Sequence, residues 1–460
     1  MPIKFGTDGW RAVIGKEFTY ENLRRVAKAH AQVLKAKGLK KVVVGYDWRF
    51  SSEDFAKEVC GVFKEEGIEV SLSARACTTP MVSFAVKYMG FNNGVMITAS
   101  HNPPKYNGYK IKESFGGSAI PEFVREVEDN IPPEDPGPAD TSELTQIDIR
   151  SIYLKGVREW ISLELFKEKE LRIIHDAMHG TSSGLLADAL RDTKMEVIPL
   201  RNYRDPLFGG HAPEPVEKNL TLLKEKVRAT EADIGIANDG DGDRIALVDE
   251  KGNFVNTQLI YVLLLLHLIK NKGMREGMVV KTVSTTYLAD RICRAFGIEL
   301  REVPVGFKNI NELIIKERVL FGGEESGGYG VPAYLPERDG LMSALLILEG
   351  LLLWDRPLSV VIEDIFKEFG KAYYRRVDFP ADERIKGRLK ELIANPPETL
   401  KGMKVMKVLT IDGLKLIFGD ESWLLFRPSG TEPLIRVYAE APSEEGLSNL
   451  IEAGVSLIKV

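Results

Sequence analysis

The chain has 460 residues, of which 44% are hydrophobic. That is enough to bury a sizeable core and excludes a disordered or fibrous protein. At ~100–200 residues per domain, the length makes three or four domains. Lys and Arg number 62 against 67 Asp and Glu, a formal net charge of -5, which excludes a protein that holds nucleic acid by bulk positive charge. A local basic pocket for a single phosphate is still allowed.

Cys60, Cys77 and Cys293 are scattered and form no CxxC pair, so neither a disulfide framework nor a structural zinc site is expected. The opening MPIKFGTDGW lacks the basic and apolar regions of a signal peptide. The longest apolar run, LIYVLLLLHLI at Leu259–Ile269, falls short of the ~20 residues needed to cross a bilayer. A soluble, cytoplasmic protein without a membrane partner is expected.

Along the chain, one pattern recurs three times: Lys41–Leu72, Leu171–Leu200 and Met278–Val305. Each opens on a Val- or Ile-rich run suited to a buried parallel strand. Each continues with a polar turn, with Ser or Thr expected at the N-cap, then an amphipathic helix and a second β-rich run. This is a βαβ unit three times over, and it predicts three related α/β domains. Asn130–Asp140, NIPPEDPGPAD, carries four prolines and reads as a linker. Further junctions fall after the hairpin-like IALVDEKGNFV and near Gly370. The last segment shows apolar alternation and two helical stretches, a smaller α+β domain with a mostly antiparallel sheet. The expected domains are 1–138, 139–255, 256–369 and 370–460.

One loop stands out in each. Thr98–Lys110, TASHNPPKYNGYK, follows the strand-like GVMI and delivers Ser100 to a strand end, where open α/β sheets place ligands. His101 and Lys110 are candidates for proton transfer or contact with a phosphoryl group. Asp239–Arg244, DGDGDR, places three carboxylates at i, i+2 and i+4 in a glycine-flexed loop, able to converge on one hard cation such as Mg²⁺. An EF-hand is excluded, because Arg244 stands where that loop needs glycine and the flanks read as strands. In Gly322–Gly330, GGEESGGYG, Glu324, Glu325 and Ser326 offer hydrogen bonds suited to a sugar. In Arg427–Thr431, RPSGT, Arg427 gives bidentate phosphate recognition while Ser429, Thr431 and the Gly430 amide complete an anion nest, with Arg436 nearby.

In this order and spacing, TASHNPP, DGDGDR, GEESGG and RPSGTEP resemble the α-D-phosphohexomutase superfamily, which includes phosphoglucomutases and phosphomannomutases; FGTDGWRA resembles its opening segment. The resemblance implies four domains around one cleft. It implies that Ser100 carries a phosphoryl group and that Asp239, Asp241 and Asp243 hold Mg²⁺ together with a phosphoserine oxygen. It further implies that Glu324 and Ser326 grip sugar hydroxyls, and that Arg427, Ser429, Gly430 and Thr431 bind the non-reacting phosphate. Arg11, Lys110 and Arg244 match positions near the phosphoserine, with Lys110 a candidate general acid/base. The implied reaction is reversible conversion of glucose 1-phosphate to glucose 6-phosphate through a hexose 1,6-bisphosphate, which also primes the enzyme.

GEESGG has Glu325 and Gly328 where the dual phosphomannomutase/phosphoglucomutase pattern GEMSGH has Met and His. VGFK at Val305–Lys308, supplying Gly306 and Lys308 as ligand contacts, also resembles the phosphoglucomutases. Glucose phosphates are therefore expected ahead of mannose phosphates, with glucosamine phosphates and pentose phosphates as lesser alternatives. A sugar-phosphate phosphatase would need no second phosphate clamp, and a non-catalytic sensor would need neither Ser100 nor the aspartate loop. A monomer or homodimer is expected.

Overall fold

The computed structural model describes residues 3–429 and 434–459. The first βαβ pattern forms the centre of a six-stranded mixed sheet. Its strands run Trp10–Val13, Tyr106–Lys112, Asn93–Ile97, Lys41–Tyr46, Glu69–Ser73 and Thr145–Ile147 from edge to edge. Lys41–Tyr46 pairs in parallel with Glu69–Ser73 and with Asn93–Ile97, while Tyr106–Lys112 returns antiparallel to Asn93–Ile97. From Val42 onward the central strand is buried on both faces, which is why it reads as an unbroken apolar run rather than an alternation. Val42, Val44, Val95 and Ile97 pack with Val26, Phe55, Val59 and Phe63 from the flanking helices.

The second pattern builds a five-stranded sheet: Phe254–Val255, Ile245–Asp249, Ile234–Asn238, Arg172–Asp176 and Glu196–Leu200. Arg172–Asp176 is parallel to both Glu196–Leu200 and Ile234–Asn238. Ile245–Asp249 pairs antiparallel with Phe254–Val255, forming the hairpin anticipated from IALVDEKGNFV. The third pattern again pairs in parallel, Met278–Thr282 with Leu300–Val303. The C-terminal segment is an antiparallel six-stranded sheet ordered Tyr373–Pro380, Leu434–Ala441, Trp423–Pro428, Leu414–Phe418, Met403–Leu409 and Thr399–Leu400. Glu383–Ala394 and Glu444–Ile458 are the two helices of that segment, and their Leu389, Leu392, Leu447 and Leu450 join its core. The class is α/β, as expected.

The first repeat carries a serine at its N-cap, as expected, while the second and third carry Gly184 and Tyr287 there. Their helices begin after Ser51, Gly184 and Tyr287, and none of the three makes a side-chain cap bond. Ser51 sits in the left-handed region, where the extended N-cap geometry that aims a side-chain oxygen at the first turn is lost, and Gly184 has no side chain to offer. The apolar run Leu259–Ile269 is interior: it spans the buried helix Thr257–Leu266 and the π-helical turn His267–Asn271. Among the described residues no helix is long and apolar enough to cross a membrane, and the three cysteines are free and buried.

The chain divides into two compact units, Met1–Met274 with Gly306–Ser359, and Arg275–Val305 with Val360–Val460. The expected third segment, 256–369, contributes to both. Within the first unit, Arg24 pairs with Glu58 and with Asp135 of the proline-rich stretch, fastening that stretch to the first sheet's helices.

Buried His30, whose Nδ1 lies 2.8 Å from the Tyr109 hydroxyl, has its pKa pulled down by burial to about 3. An unfolded chain takes up this proton near pH 6.5 while the folded chain refuses it. The contribution is therefore complete above ~6.5 and is lost as pH falls towards 3. Denaturant midpoints of wild type and His30→Gln across this window should show the wild type losing stability faster, by up to about 1.4 kcal/mol per pH unit; parallel curves would contradict it.

Candidate active site

Ser100 is placed by a strand end and a clamp. Asn93–Ile97 ends just before it, and Ser100 adopts φ 53, a left-handed conformation costly for a non-glycine residue (~1–3 kcal/mol). The surroundings hold it there. Its N–H donates to Thr98 Oγ1 at 2.9 Å, and buried Arg49 donates to the carbonyls of Ser100 (2.5 Å), Asn102 (2.7 Å), Pro103 (3.0 Å) and Tyr106 (3.1 Å). Asp47 accepts from Ser52 Oγ and Thr98 Oγ1, each at 2.6 Å, and lies 3.2 Å from Arg49 Nε. Sequence reasoning missed this Asp47–Arg49 device; its signal is the DWR that directly follows the central strand of the first repeat.

The aspartate loop meets the serine head on. Ser100 Oγ donates to Asp239 Oδ2 at 2.8 Å. Glycine is required at 240, where a Cβ would lie 2.6 Å from the Ser100 carbonyl oxygen. Asp239, Asp241 and Asp243 are buried, with one carboxylate oxygen from each lying within 4.8 Å of the others. Asp239 Oδ1 accepts from the Arg244 N–H at 3.1 Å. Asp241 Oδ2 accepts from Lys110 Nζ at 2.8 Å and from Thr79 Oγ1, and Asp243 Oδ2 from Lys110 Nζ at 3.1 Å. That leaves Asp241 Oδ1 and Asp243 Oδ1 buried with no hydrogen-bond partner. Orphaned carboxylate oxygens are costly, and a shared hard cation satisfies both, so the donor set fits Mg²⁺.

The electrostatics follow from burial. Desolvation, reinforced by Asp241 and Asp243, pushes the Asp239 carboxyl well above the usual range. Burial alone would lower the Lys110 ammonium, but Asp241, Asp243 and Asp8 outweigh it and hold it above its ordinary value, so it stays cationic. Burial, together with Arg244 and Arg11, keeps His101 neutral; its Nδ1 lies 3.3 Å from Ser100 Oγ. Arg11 donates to Asn102 Oδ1 at 2.7 Å and pairs with Asp8 at 3.7 Å. Arg244 has its Nε buried without a hydrogen-bond partner.

In the GGEESGGYG loop, Val319–Gly323 turns back on Tyr329–Gly330 with Gly322 opposite Gly330. Glu324 is buried and accepts from the Gly306 N–H at 2.9 Å. Burial raises its pKa against the opposing pull of Arg338. Ser326 Oγ is buried with no hydrogen-bond partner, and Glu325 accepts from Thr257 Oγ1 through its main-chain oxygen. Half-buried Lys308 lines a cavity of about 190 Å³ with Thr7, Asp8 and Ser118.

The structure therefore brings Ser100, His101, Lys110, Arg11, Asp239, Asp241, Asp243, Arg244, Gly306, Lys308, Glu324 and Ser326 into the first unit. Arg427, Ser429 and Arg436 belong to the second. There Arg427 and Arg436 face each other directly across antiparallel strands, with Arg427 Nε donating to Asp412 at 2.7 Å. Gly430 and Thr431 lie outside the described residues. Besides Asp47 and Arg49, sequence reasoning missed Asp8, Thr79, Lys112, Glu337 and Arg338, which carry no loop motif of their own apart from Asp8 in FGTDGWRA.

Such a site, a serine held against three convergent aspartates on an α/β scaffold, defines a phosphoryl-transfer enzyme of the phosphohexomutase class. The chain belongs to the phosphoglucomutase/phosphomannomutase family. Its alpha/beta/alpha domain I matches residues 2–136, domain II 151–252, domain III 256–369 and the C-terminal domain 384–455. The chain is 32% identical over 460 residues to a phosphoglucomutase/phosphomannomutase of Thermococcus kodakarensis, covering 99% of this chain and 98% of that protein. It is 33% identical over 460 residues to a probable phosphoglucosamine mutase of the same organism, with the same coverage. A crystal structure of a putative phosphomannomutase from Thermus thermophilus superposes with TM-score 0.90 at 34% identity, over 100% of both chains.

Thr79 leaves Oδ1 as the unpartnered oxygen of Asp241, donating through its hydroxyl to Oδ2 and through its N–H to the Asp241 carbonyl at 2.9 Å. Thr79→Val should weaken Mg²⁺ binding by about 10–100-fold while Thr79→Ser keeps it. Calorimetric titration with Mg²⁺ measures both, and equal affinities in Val and Ser variants would sink the assignment.

Proposed function

We propose that the protein interconverts hexose 1-phosphates and hexose 6-phosphates, glucose phosphate foremost, through a phosphoserine at Ser100 and a hexose 1,6-bisphosphate. The observation that carries this reading is the hydroxyl of Ser100, held in a strained backbone and bonded at 2.8 Å to an aspartate of a convergent triad. Asp239, Asp241 and Asp243, with an oxygen of the phosphorylated Ser100, would hold Mg²⁺. When bound, the ion offsets charge developing on the transferred group.

In the first half-reaction a free hydroxyl of the sugar phosphate attacks the phosphorus on Ser100. The new P–O bond forms as the bond to Ser100 Oγ breaks, and the proton of the attacking hydroxyl ends on the released Ser100 Oγ by way of neutral His101, 3.3 Å from it. Cationic Lys110, Arg11 and Arg244 offset charge on the phosphoryl oxygens. The bisphosphate must then turn around. In the return step Ser100 Oγ attacks the other phosphorus as the bond from that phosphorus to its sugar oxygen breaks. The serine proton passes to a group already beside it, Asp239 Oδ2 at 2.8 Å or His101 Nδ1 at 3.3 Å, and from there to the released sugar oxygen, which becomes the free hydroxyl. Held cationic, Lys110 serves as an acid or electrostatic partner rather than as a base.

Recognition divides between sugar and distal phosphate. Glu324 and Ser326 accept from ring hydroxyls, with Gly306 and Lys308 alongside. Arg427 and Arg436 lie directly opposite on neighbouring strands, so two guanidinium groups issue from one place beside the RPSGT loop, which supports their reading as the clamp for the non-reacting phosphate with Ser429, Gly430 and Thr431. Conversion of glucosamine phosphates is the second reading. It is favoured by relatives bearing that name and by a buried Glu324 carboxylate able to accept from an ammonium as well as a hydroxyl.

Glucose, mannose and glucosamine 1-phosphates should be assayed with Mg²⁺ and a trace of the matching 1,6-bisphosphate. Glucose 1-phosphate should be converted fastest, Ser100→Ala should show no detectable conversion, and Asp241→Asn should lower kcat by ~100-fold or more. Wild-type rates in Ser100→Ala would end the phosphoserine mechanism, and inorganic phosphate released as fast as the isomer forms would mark a phosphatase.

A further inference from the structure

Arg338 stands in no recognised motif, yet the metal loop and the sugar loop both lean on it. It is 3% exposed. Its Nη2 lies 2.5 Å from Asp8 Oδ2 and 2.9 Å from Asp243 Oδ2, and its Nη1 lies 3.5 Å from Glu324 Oε2. The guanidinium sits over the Phe307 ring, 5.5 Å from its centroid. Its backbone N–H donates to Glu337 Oε1 at 2.9 Å, so the side chain is anchored at both ends.

The aliphatic stem between those anchors passes directly over Gly328. A Cβ at 328 would lie 2.3 Å from Arg338 Cδ and 2.9 Å from its Cγ, well inside the ~3.5–4.0 Å of ordinary carbon contacts. Gly328 is not among the glycines with positive φ, so backbone conformation does not call for glycine there. The Arg338 stem does. A side chain at 328 would have to evict it, stripping the guanidinium from Asp8 and Asp243 and leaving Glu324 oriented only by the Gly306 N–H.

We propose that Gly328 and Arg338 form a specificity-determining pair: the missing side chain at 328 admits the Arg338 stem to the sugar loop, and its guanidinium sets how Glu324 presents its carboxylate to the ring substituents. Arg338 acts through Glu324 and is a positioning residue; the inference rests on the reading of Glu324 as a sugar ligand. It also accounts for the glycine at 328 in GEESGG, since this chain fills the space from the 338 side instead.

The test is a double-mutant cycle of wild type, Gly328→Ala, Arg338→Ala and the double variant. It is read as calorimetric Kd for glucose 1-phosphate and mannose 1-phosphate and as kcat and KM on the same pair. Gly328→Ala should weaken binding of the preferred sugar by about tenfold or more in the wild-type background, but by less than about threefold once Arg338 is gone. Both single variants should shift the glucose-to-mannose ratio in the same direction. Arg338→Lys, which keeps the charge without the planar fork, should recover part of kcat but not the ratio. Should Arg338→Ala not fold, Glu324→Gln supplies the second background, in which the ratio change caused by Gly328→Ala should vanish.

Equal losses on Gly328→Ala in both backgrounds, or an unchanged sugar ratio, overturn the pair. Coupling seen in Kd without any isomerisation by the wild type leaves the pair standing and removes the mutase reading. Failure of the wild type to bind either sugar phosphate removes both.

Discussion

Carboxylates buried side by side must be compensated, and much of the first unit is arranged around that requirement. Asp239, Asp241 and Asp243 are removed from water within a few ångströms of one another, a geometry whose mutual repulsion and desolvation oppose ionisation. Lys110 is inserted between Asp241 and Asp243 and also reaches Asp8 at 2.7 Å, so the single cation faces three carboxylates and a second one is needed. Asp8 in turn holds Arg338, and Arg338 returns to Asp243 and reaches Glu324. The chain of ion pairs therefore runs from the aspartate loop through the N-terminal segment to the GGEESGGYG loop. Removing any single charge would leave its neighbours buried and uncompensated, the case in which buried ion pairs matter most.

The sheet supplies the register that this arrangement needs. Along Tyr106–Lys112, the period of two sends Lys110 and Lys112 to one face and Tyr109 and Ile111 to the other, into the core. Lys110 reaches the aspartates, while Lys112 reaches Glu337 at 2.5 Å and Ser118 Oγ at 2.8 Å. Antiparallel pairing with Asn93–Ile97 places Met96 beside Lys110, so the cation and the serine loop issue from adjacent strands. A one-residue slip would turn both lysines into the apolar core.

The second unit meets its buried charges in the same way. Lys415 donates to Glu302 at 2.5 Å and to the Val283 carbonyl at 2.7 Å, Lys281 pairs with Asp290, and Glu440 accepts from the Tyr287 N–H at 2.8 Å and from Trp423 Nε1 at 2.9 Å. These bonds join the Met278–Val303 strands and helix to the C-terminal sheet, which explains why the third βαβ repeat falls in the second unit while the rest of the expected segment 256–369 is divided between the two. Sequence periodicity reports the repeat. It carries no information on which neighbour a lysine on its far side will find.

What the amino-acid sequence determined by itself is local and periodic. The unbroken apolar strands marked parallel sheets, the i, i+2, i+4 aspartates in a glycine-flexed loop marked carboxylates that converge, and GVMI followed by TASHNPP marked Ser100 as lying just past a strand end, because each signal lies within a few consecutive residues. Tertiary structure alone decided the rest. Arg49 gripping the serine loop, Thr79 choosing the free oxygen of Asp241, and Arg338 joining Asp8, Asp243 and Glu324 are pairings across 51, 162 and as many as 330 residues of chain. An arginine's five donors announce a partner but not which one, and only folding brought these carboxylates within reach.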